Sequence, residues 1–230
     1  MDLNMNISEN IEINAIKESL FEKFREGSSD FVSELNAILD KVERWEFADD
    51  ELVNPVPFFL ELTQSRKAKN LNINFENRFD RPRIFSFGFS SNSRLLIRQT
   101  SDNHNILNQI YYYINNRIDI SYFQQSKRTQ NFQAISYSTL RWLTSKEQVY
   151  VSANGDLRNY HIILYFYEND KVLRAYETAS TWNQQNEYEF FYVDNNGVCQ
   201  HSCHPYLNQA TETSLALTRL DRRTGLRAVG

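Results

Sequence analysis

The stretch from Gln148 to His204 decides the fold. It contains runs rich in β-branched and aromatic residues, which read QVYVSA, LRNYHIILYFY, KVLRAYETAS, EYEFFYV and VCQHSCH. Polar segments separate these runs, among them NGD (154–156), END (168–170) and DNNG (194–197). Their Asn, Asp and Gly residues tolerate the positive φ that hairpin turns require. The stretch therefore predicts an antiparallel meander over 148–204.

The run at 157–167 predicts a strand in the middle of the sheet. Side chains alternate between the two faces of a strand. One face would carry Tyr160, Ile162, Leu164 and Phe166, and the other would carry His161, Ile163, Tyr165 and Tyr167. Both faces are apolar or aromatic, which is typical of a strand that is covered on both sides. The N-terminal half is expected to supply part of that cover.

The N-terminal segment predicts a helical hairpin. Apolar residues recur at helical spacing from Ile13 to Phe24, after a candidate cap at Ser8, and again from Leu35 to Trp45. Gly27 separates the two stripes. A short third helix is expected to begin at Pro57.

The fold class expected from these patterns is α+β, with the N-terminal helical hairpin packed on a curved, mainly antiparallel sheet. Segment 1–64 would be an acidic helical segment, and 65–207 an α+β sheet domain that forms one structural unit with it. The remainder, 208–230, is rich in arginine and has no aromatic residue, and it predicts a mobile tail.

The middle of the chain predicts further elements of the sheet. In RIFSFGFS (83–90), Phe alternates with Ser and Gly, which indicates a half-buried strand whose small face lets another segment approach closely. The runs 118–123 and 133–143 favour strands. By contrast, isoleucines four residues apart over 106–114 predict an amphipathic helix.

Composition bounds the class of protein. No apolar run approaches the roughly 18 residues that predict a membrane span, and the polar, acidic N-terminus is not typical of a signal peptide. With only two cysteines, a disulfide framework is not expected, and a reducing cytoplasm is the expected compartment. No cofactor motif is present, so no cofactor is expected.

Charge is unevenly distributed along the chain. Residues 1–62 carry five Lys and Arg against fifteen Asp and Glu, and residues 63–230 carry twenty against fourteen, which gives −10 and +6. An acidic segment of this kind can dock on a basic surface, either within the chain or on a protein partner. The favoured interpretation is that exposed helices carry these carboxylates and keep the protein in solution.

The densest group of potential metal ligands is CQHSCH at 199–204. On a strand, Cys199, His201 and Cys203 would share one face, and thiolate and imidazole are zinc ligands. Structural zinc sites usually separate their ligand pairs by a loop. These three residues are therefore weak metal candidates, and a strand end with packed cysteines is the main expectation.

The order of elements, helices followed by a long antiparallel meander, resembles the α+β cone of NTF2-like and cystatin-like proteins. The resemblance implies a cavity that holds a small ligand or an acid–base pair. The candidate acid–base residues are His161, Glu177 and Tyr165. The candidate ligand-binding residues are Tyr160, Tyr165, Tyr167, Tyr176 and Trp182. Packing within the core is the alternative role for these aromatic residues.

Arginines interleaved with aromatic residues suggest a third class of function. Phosphate contacts and base stacking at Arg94, Arg98, Arg222 and Arg223 would suit a nucleic acid. The chain as a whole is acidic and has no Gly-rich phosphate loop, which favours the other classes. The first hypothesis is thus a binding or interaction protein that acts through an aromatic sheet surface or pocket and an acidic helical face. A small-molecule enzyme and a nucleic-acid-directed protein are the alternatives.

Overall fold

A single antiparallel sheet of eleven strands carries the fold, and the strands are adjacent in the same order as in the sequence. The computed structural model describes residues 7–27, 30–58, 68–80, 82–155, 159–182, 185–192 and 199–206. Two helices, α1 (Ile11–Glu26) and α2 (Phe31–Leu39), precede the sheet. Short 3-10 turns lie at Ile7–Glu9 and Phe75–Asn77. The strands are β1 (Arg44–Ala48), β2 (Phe85–Phe89), β3 (Leu95–Ser101), β4 (Asn105–Ile114), β5 (Arg117–Ser126), β6 (Phe132–Trp142), β7 (Glu147–Asn154), β8 (Tyr160–Glu168), β9 (Lys171–Ala179), β10 (Gln185–Tyr192) and β11 (Cys199–Tyr206).

The predicted α+β class and the meander at 148–204 are confirmed. Strands β7 to β11 pair in succession, with Val151 opposite Ile162 and Leu164 opposite Tyr176. Residues 118–123 and 133–142 lie in β5 and β6, as predicted. The sheet is open, because the strand order runs from β1 to β11 without a closing pair between these two edge strands.

Both helices pack on one face of the sheet, here called the outer face. On α1, Ile13, Ile16 and Leu20 are buried against outward-facing residues of β6 to β9. On α2, Ile38 packs on Ile97, Ile110 and Phe123 of β3, β4 and β5. The amphipathic stripes read from the sequence are therefore the surfaces that cover the sheet.

The caps explain where the helices begin and end. The Asn10 side chain accepts hydrogen bonds from the backbone N–H groups of Glu12 (3.0 Å) and Ile13 (3.1 Å), so Asn10 is the N-cap of α1 rather than Ser8. Gly27 ends α1 in the left-handed conformation, with φ 61°. Asp30 caps α2 by accepting from the Ser33 N–H at 3.1 Å.

The small face of β2 admits another segment, as its sequence predicted. A Cβ atom built on Gly88 would lie 2.7 Å from Ile97 Cγ2 and 2.9 Å from Val42 Cγ2. Val42 follows α2 directly, and the next residue, Glu43, donates its N–H to the Phe89 carbonyl at 2.9 Å. The absent side chain of Gly88 therefore lets the end of α2 seat against β2 and β3.

The opposite side of the sheet, here called the inner face, is covered by the chain segment that follows β1. This segment, residues 49–58, is here called the strap. Its residue Val56 is 3% exposed and packs in the same cluster as Tyr165 and Phe190, and the Phe58 ring lies 4.5 Å from the Phe190 ring. Residues from β2 to β10 meet in this one cluster, which requires the sheet to curl around the strap.

Two predictions about secondary structure are wrong. Residues 106–114 form strand β4 rather than a helix, because a spacing of four residues keeps side chains on one face of a strand as well as of a helix. The second helix ends at Leu39, and the part of its predicted stripe that includes Trp45 is strand β1, where aromatic residues alternate with Glu46. The predicted third helix after Pro57 lies mostly outside the described residues, as does the tail at 208–230.

Within the described part of the chain, neither helix combines the length and the apolar character that crossing a bilayer requires.

Candidate ligand-binding site

The inner face carries polar side chains among its aromatic ones. Strand alternation places His161 and Tyr165 of β8 on this face, together with Glu177 of β9 and Tyr188 of β10. Neither α1 nor α2 covers this face, so among the described residues its polar groups find partners in one another and in the strap.

The most organised group on this face is a chain of three hydrogen-bonded residues, here called the His161 centre. Nε2 of His161 lies 2.7 Å from Glu177 Oε1, and the Tyr188 hydroxyl donates to Glu177 Oε2. The Glu177 side chain is 9% exposed, whereas that of His161 is 31% exposed. A buried carboxylate thus fixes the orientation of a half-exposed imidazole, and the tyrosine in turn holds the carboxylate.

The His161 ring is flanked by two aromatic rings. Tyr150 lies edge-on at 6.0 Å between ring centroids, and Trp182 lies at 6.0 Å on a tilted plane. Trp182 is 40% exposed. Within the described part of the chain, no group accepts from or donates to the second ring nitrogen, Nδ1. The centre therefore offers a hydrogen-bonding nitrogen beside an exposed indole, which is the kind of surface that binds a flat or apolar small molecule.

Tyr165, predicted as an acid–base residue with His161 and Glu177, has a different partner. Its hydroxyl donates to the Pro57 carbonyl of the strap at 2.8 Å. Burial, and then the neighbouring tyrosine Tyr167, raise the pKa of Tyr165 well above its ordinary value. Tyr165 therefore anchors the strap as a neutral donor, while the other two predicted residues form the His161 centre.

The predicted ligand-binding aromatics do not share one surface. Tyr160 and Tyr176 lie on the outer face with α1, whereas Tyr165 and Tyr167 lie on the inner face. Of that set, Trp182 alone contacts the His161 ring. Tyr188 and Tyr150 were not predicted as site residues, because alternation along each strand places them on the inner face only once the strand register is known.

A second polar group lies further along the inner face. The Arg98 guanidinium of β3 pairs with the Glu51 carboxylate of the strap, and the two side chains are only 15% and 11% exposed. In the register of β3 and β4, Gln109 lies directly opposite Arg98. Gln109 Oε1 and the Tyr111 hydroxyl are both buried without a hydrogen-bond partner in the described structure.

Tyr111 is 1% exposed, and its burial raises the pKa of its hydroxyl. A buried hydroxyl without a partner costs about 1–3 kcal/mol relative to one that is hydrogen-bonded. Tyr150 connects this group to the His161 centre, because its ring contacts the His161 ring and it belongs to the same buried cluster as Tyr111. The two polar groups are thus parts of one inner-face surface.

The arginines considered for nucleic acid are separated in the structure. Arg94 is exposed at the β2–β3 turn, with its guanidinium 5.3 Å from the Tyr113 ring. Arg98 is enclosed on the inner face with Glu51. Arg222 and Arg223 lie outside the described residues.

The metal candidates lie on β11, whose backbone pairs with β10 and places Cys203 opposite Tyr188 and His201 opposite Phe190. The side chains of Cys199, His201 and Cys203 are outside the described part of the structure. Among the side chains that are described, no group of three His, Cys, Asp or Glu residues is arranged to hold a metal ion.

Two open clefts of about 410 Å³ each lie elsewhere on the surface. One is next to Trp142 and Asp170, and the other is next to Asn74 and Ile84. Neither is lined by His161 or Arg98. We regard the inner face as the candidate site because the organised polar groups are there.

Comparison with known proteins gave no match to a family model, to a curated protein or to a solved structure.

Proposed function

We propose that this protein binds a small molecule on the inner face of its sheet, with the His161 centre as the recognition point. One observation carries the proposal: a half-exposed imidazole is oriented by a buried carboxylate that a tyrosine also holds. Burying a carboxylate is unfavourable unless it is hydrogen-bonded. Among the described residues, the second imidazole nitrogen, Nδ1, has no hydrogen-bond partner, so a ligand can bond to it.

Binding is favoured over acyl-transfer catalysis at this centre. Ser152 lies directly opposite His161 in the β7–β8 register and is the nearest hydroxyl nucleophile by position in the sheet. Acyl transfer requires hydrogen-bond donors for an oxyanion. Strands β7, β8 and β9 are each paired on both sides, so their backbone N–H groups are engaged in the ladders.

General acid–base chemistry is the second candidate function. The His161–Glu177 pair is what such chemistry uses, since the carboxylate selects the imidazole tautomer and stabilises its protonated form. In this alternative, the bound molecule would present its reacting proton to Nδ1 of His161.

Native mass spectrometry of the protein purified from its own host tests the proposal. We expect an added mass in the small-molecule range that is lost in His161→Gln and Glu177→Gln and retained in His104→Gln. His104 is an exposed histidine at the β3–β4 turn and serves as the matched control. If the unchanged protein and all three variants carry the same added mass, the molecule binds elsewhere and the proposal is refuted.

Fluorescence gives a second readout for the small molecule that is recovered with the protein. In a Trp45→Phe, Trp142→Phe background, emission reports Trp182 alone, because the chain has three tryptophans. The small molecule recovered from the host preparation should shift this emission in the otherwise unchanged protein and in His104→Gln. It should leave the emission of His161→Gln unchanged at the same concentration.

A further inference from the structure

We infer that the ligand of the inner face carries a carboxylate that binds Arg98, and that the strap occupies this place as an internal competitor through Glu51. The inference rests on the proposed function and specifies its ligand class. It also assigns a role to the strap that no sequence pattern indicated.

The strap is packed onto the inner face along its whole length. No residue from 49 to 58 is fully exposed, which is unusual for a connecting segment without regular structure. Glu51 contacts Arg98 of β3, the Pro57 carbonyl accepts from Tyr165 of β8, and the Phe58 ring packs on the Phe190 ring of β10 on a tilted plane. The strap therefore crosses the same surface that a ligand of the inner face would cover.

Arg98 and its neighbours offer a carboxylate more hydrogen-bond donors than Glu51 of the strap uses. A guanidinium has five N–H donors in a fork that matches the two oxygens of a carboxylate. Gln109 lies opposite Arg98 on β4, and Tyr111 is two positions further along the same face of that strand. Among the described residues, the buried Tyr111 hydroxyl and the Gln109 side-chain oxygen have no hydrogen-bond partner. A ligand carboxylate that enters this corner can accept from Arg98 and from Tyr111 together.

Glu51 is the group that such a ligand would replace. Exchange of one carboxylate for another preserves the charge balance at Arg98, so the guanidinium never remains buried without a counter-charge. The strap is also held in a strained backbone conformation, since Phe58 has φ 53°, which is uncommon for a bulky residue. Release of the strap relieves this strain and offsets part of the lost contacts.

The tail of the ligand would be apolar. Val56 and Phe58 of the strap fill the inner-face cluster beyond Glu51. A ligand that displaces them must bury a comparable apolar surface, so an aliphatic or aromatic carboxylic acid is the expected class. A free inorganic anion would satisfy Arg98 but would leave the space of Val56 and Phe58 empty.

The test is isothermal titration of the full chain with decanoate and, separately, with 1-decanol, which has the same tail and no charge. In Glu51→Gln, decanoate should bind at least tenfold more tightly than in the unchanged protein, while the affinity for 1-decanol should change less than threefold. Glu43→Gln, which removes an exposed carboxylate next to β1, should bind both probes as the unchanged protein does.

Removal of the cation should have the opposite effect. Arg98→Met should bind decanoate at least tenfold more weakly than the unchanged protein does. Its affinity for 1-decanol should be unchanged. If Arg98→Met does not fold, Arg98→Lys replaces it, with an intermediate loss because an ammonium lacks the bidentate fork. Hydrogen exchange of the amides at 49–58 should increase when decanoate binds to the unchanged protein.

Three outcomes would overturn the inference. The first is equal decanoate affinity in Glu51→Gln and the unchanged protein. The second is a parallel change for both probes. The third is absence of decanoate binding in every variant while the host ligand is still lost in His161→Gln, which leaves the proposed function standing. If decanoate binds to no variant and no host ligand is found, both this inference and the proposed function are refuted.

Discussion

Substitution of Gly88 by alanine tests how α2 is seated on the sheet. The added Cβ would lie 2.7 Å from Ile97 Cγ2 and 2.9 and 3.0 Å from the two methyl groups of Val42. Ile97 and Val42 are both β-branched, and Ile97 is fully buried. Their methyl groups therefore cannot move away by a simple side-chain rotation. Overpacking of this kind costs about 1–3 kcal/mol.

One further effect determines the net change in the free energy of unfolding. Replacing glycine by alanine stabilises by about 0.4–1 kcal/mol through the unfolded chain. We therefore expect a net loss of about 1–2 kcal/mol in the free energy of unfolding. For a chain of this size, that corresponds to a fall in Tm of roughly 2–8 °C. Thermal unfolding followed by circular dichroism and urea unfolding should agree, with an unchanged urea m-value.

Two matched variants make the test specific. In Gly155→Ala, the added Cβ meets the edge of the Phe24 ring at 3.3 Å, a contact that a small ring rotation relieves, so stability should change by less than about 0.5 kcal/mol. Because Val42→Ala removes two of the three close methyl groups, Gly88→Ala should cost at least about 1 kcal/mol less in that background. The reasoning is refuted if Gly88→Ala has the same cost with Val and with Ala at position 42, or if it has no cost in either background.

Three further predictions concern individual side chains. The pKa values of Tyr111 and Tyr165 are raised by burial, so the neutral form stabilises the folded state below pH 10 and this stability is lost as the pH rises beyond it. In an absorbance titration at 295 nm, these tyrosines should ionise only with unfolding, and their ionisation near pH 10 in the folded protein would contradict their burial. The backbone N–H groups of His104 and Asn105 lower the pKa of Asp102, so its contribution to stability is present above about pH 3.9 and is lost as the pH falls towards the lower folded value. Carboxyl-detected NMR should give a midpoint below 3.9, and an ordinary midpoint would mean that these hydrogen bonds are absent. Finally, the Tyr112 hydroxyl donates to Glu34 of α2 at 2.9 Å, so Tyr112→Phe should cost about 0.5–1.5 kcal/mol in urea unfolding. An equal cost when Glu34 is already Ala, which has no side-chain acceptor, would show that the hydrogen bond is not its source.

The meander and the helix stripes could be predicted because they depend on local periodicity. Over 148–204, turn residues separate runs that alternate every two residues, and neither signal has a second interpretation. Over 106–114, isoleucines four residues apart satisfy the periods of both a strand and a helix, which is why the helix predicted there was wrong. Tertiary pairing with β3 and β5 decides it.

The candidate site was predictable only in part, for a related reason. His161 and Glu177 lie on adjacent strands two positions out of register, and the short turn between these strands fixes that register. Glu51 and Arg98 are 47 residues apart and meet only because the strap crosses the curled sheet. Such a crossing leaves no periodic signal in a segment whose sequence shows mainly turn residues and prolines.

The two faces of the sheet differ in the kind of side chains that they bury. The outer face is closed by α1 and α2 through apolar contacts, and these contacts stabilise the fold without further partners. The inner face has an ion pair, a half-exposed histidine and a buried hydroxyl that has no partner among the described residues, and the buried polar groups cost stability compared with apolar packing. The outer face shows that the chain can cover its sheet with apolar side chains. The concentration of these polar groups on the face that α1 and α2 leave uncovered therefore supports the proposal that this face binds a ligand, whose place the strap would fill in its absence.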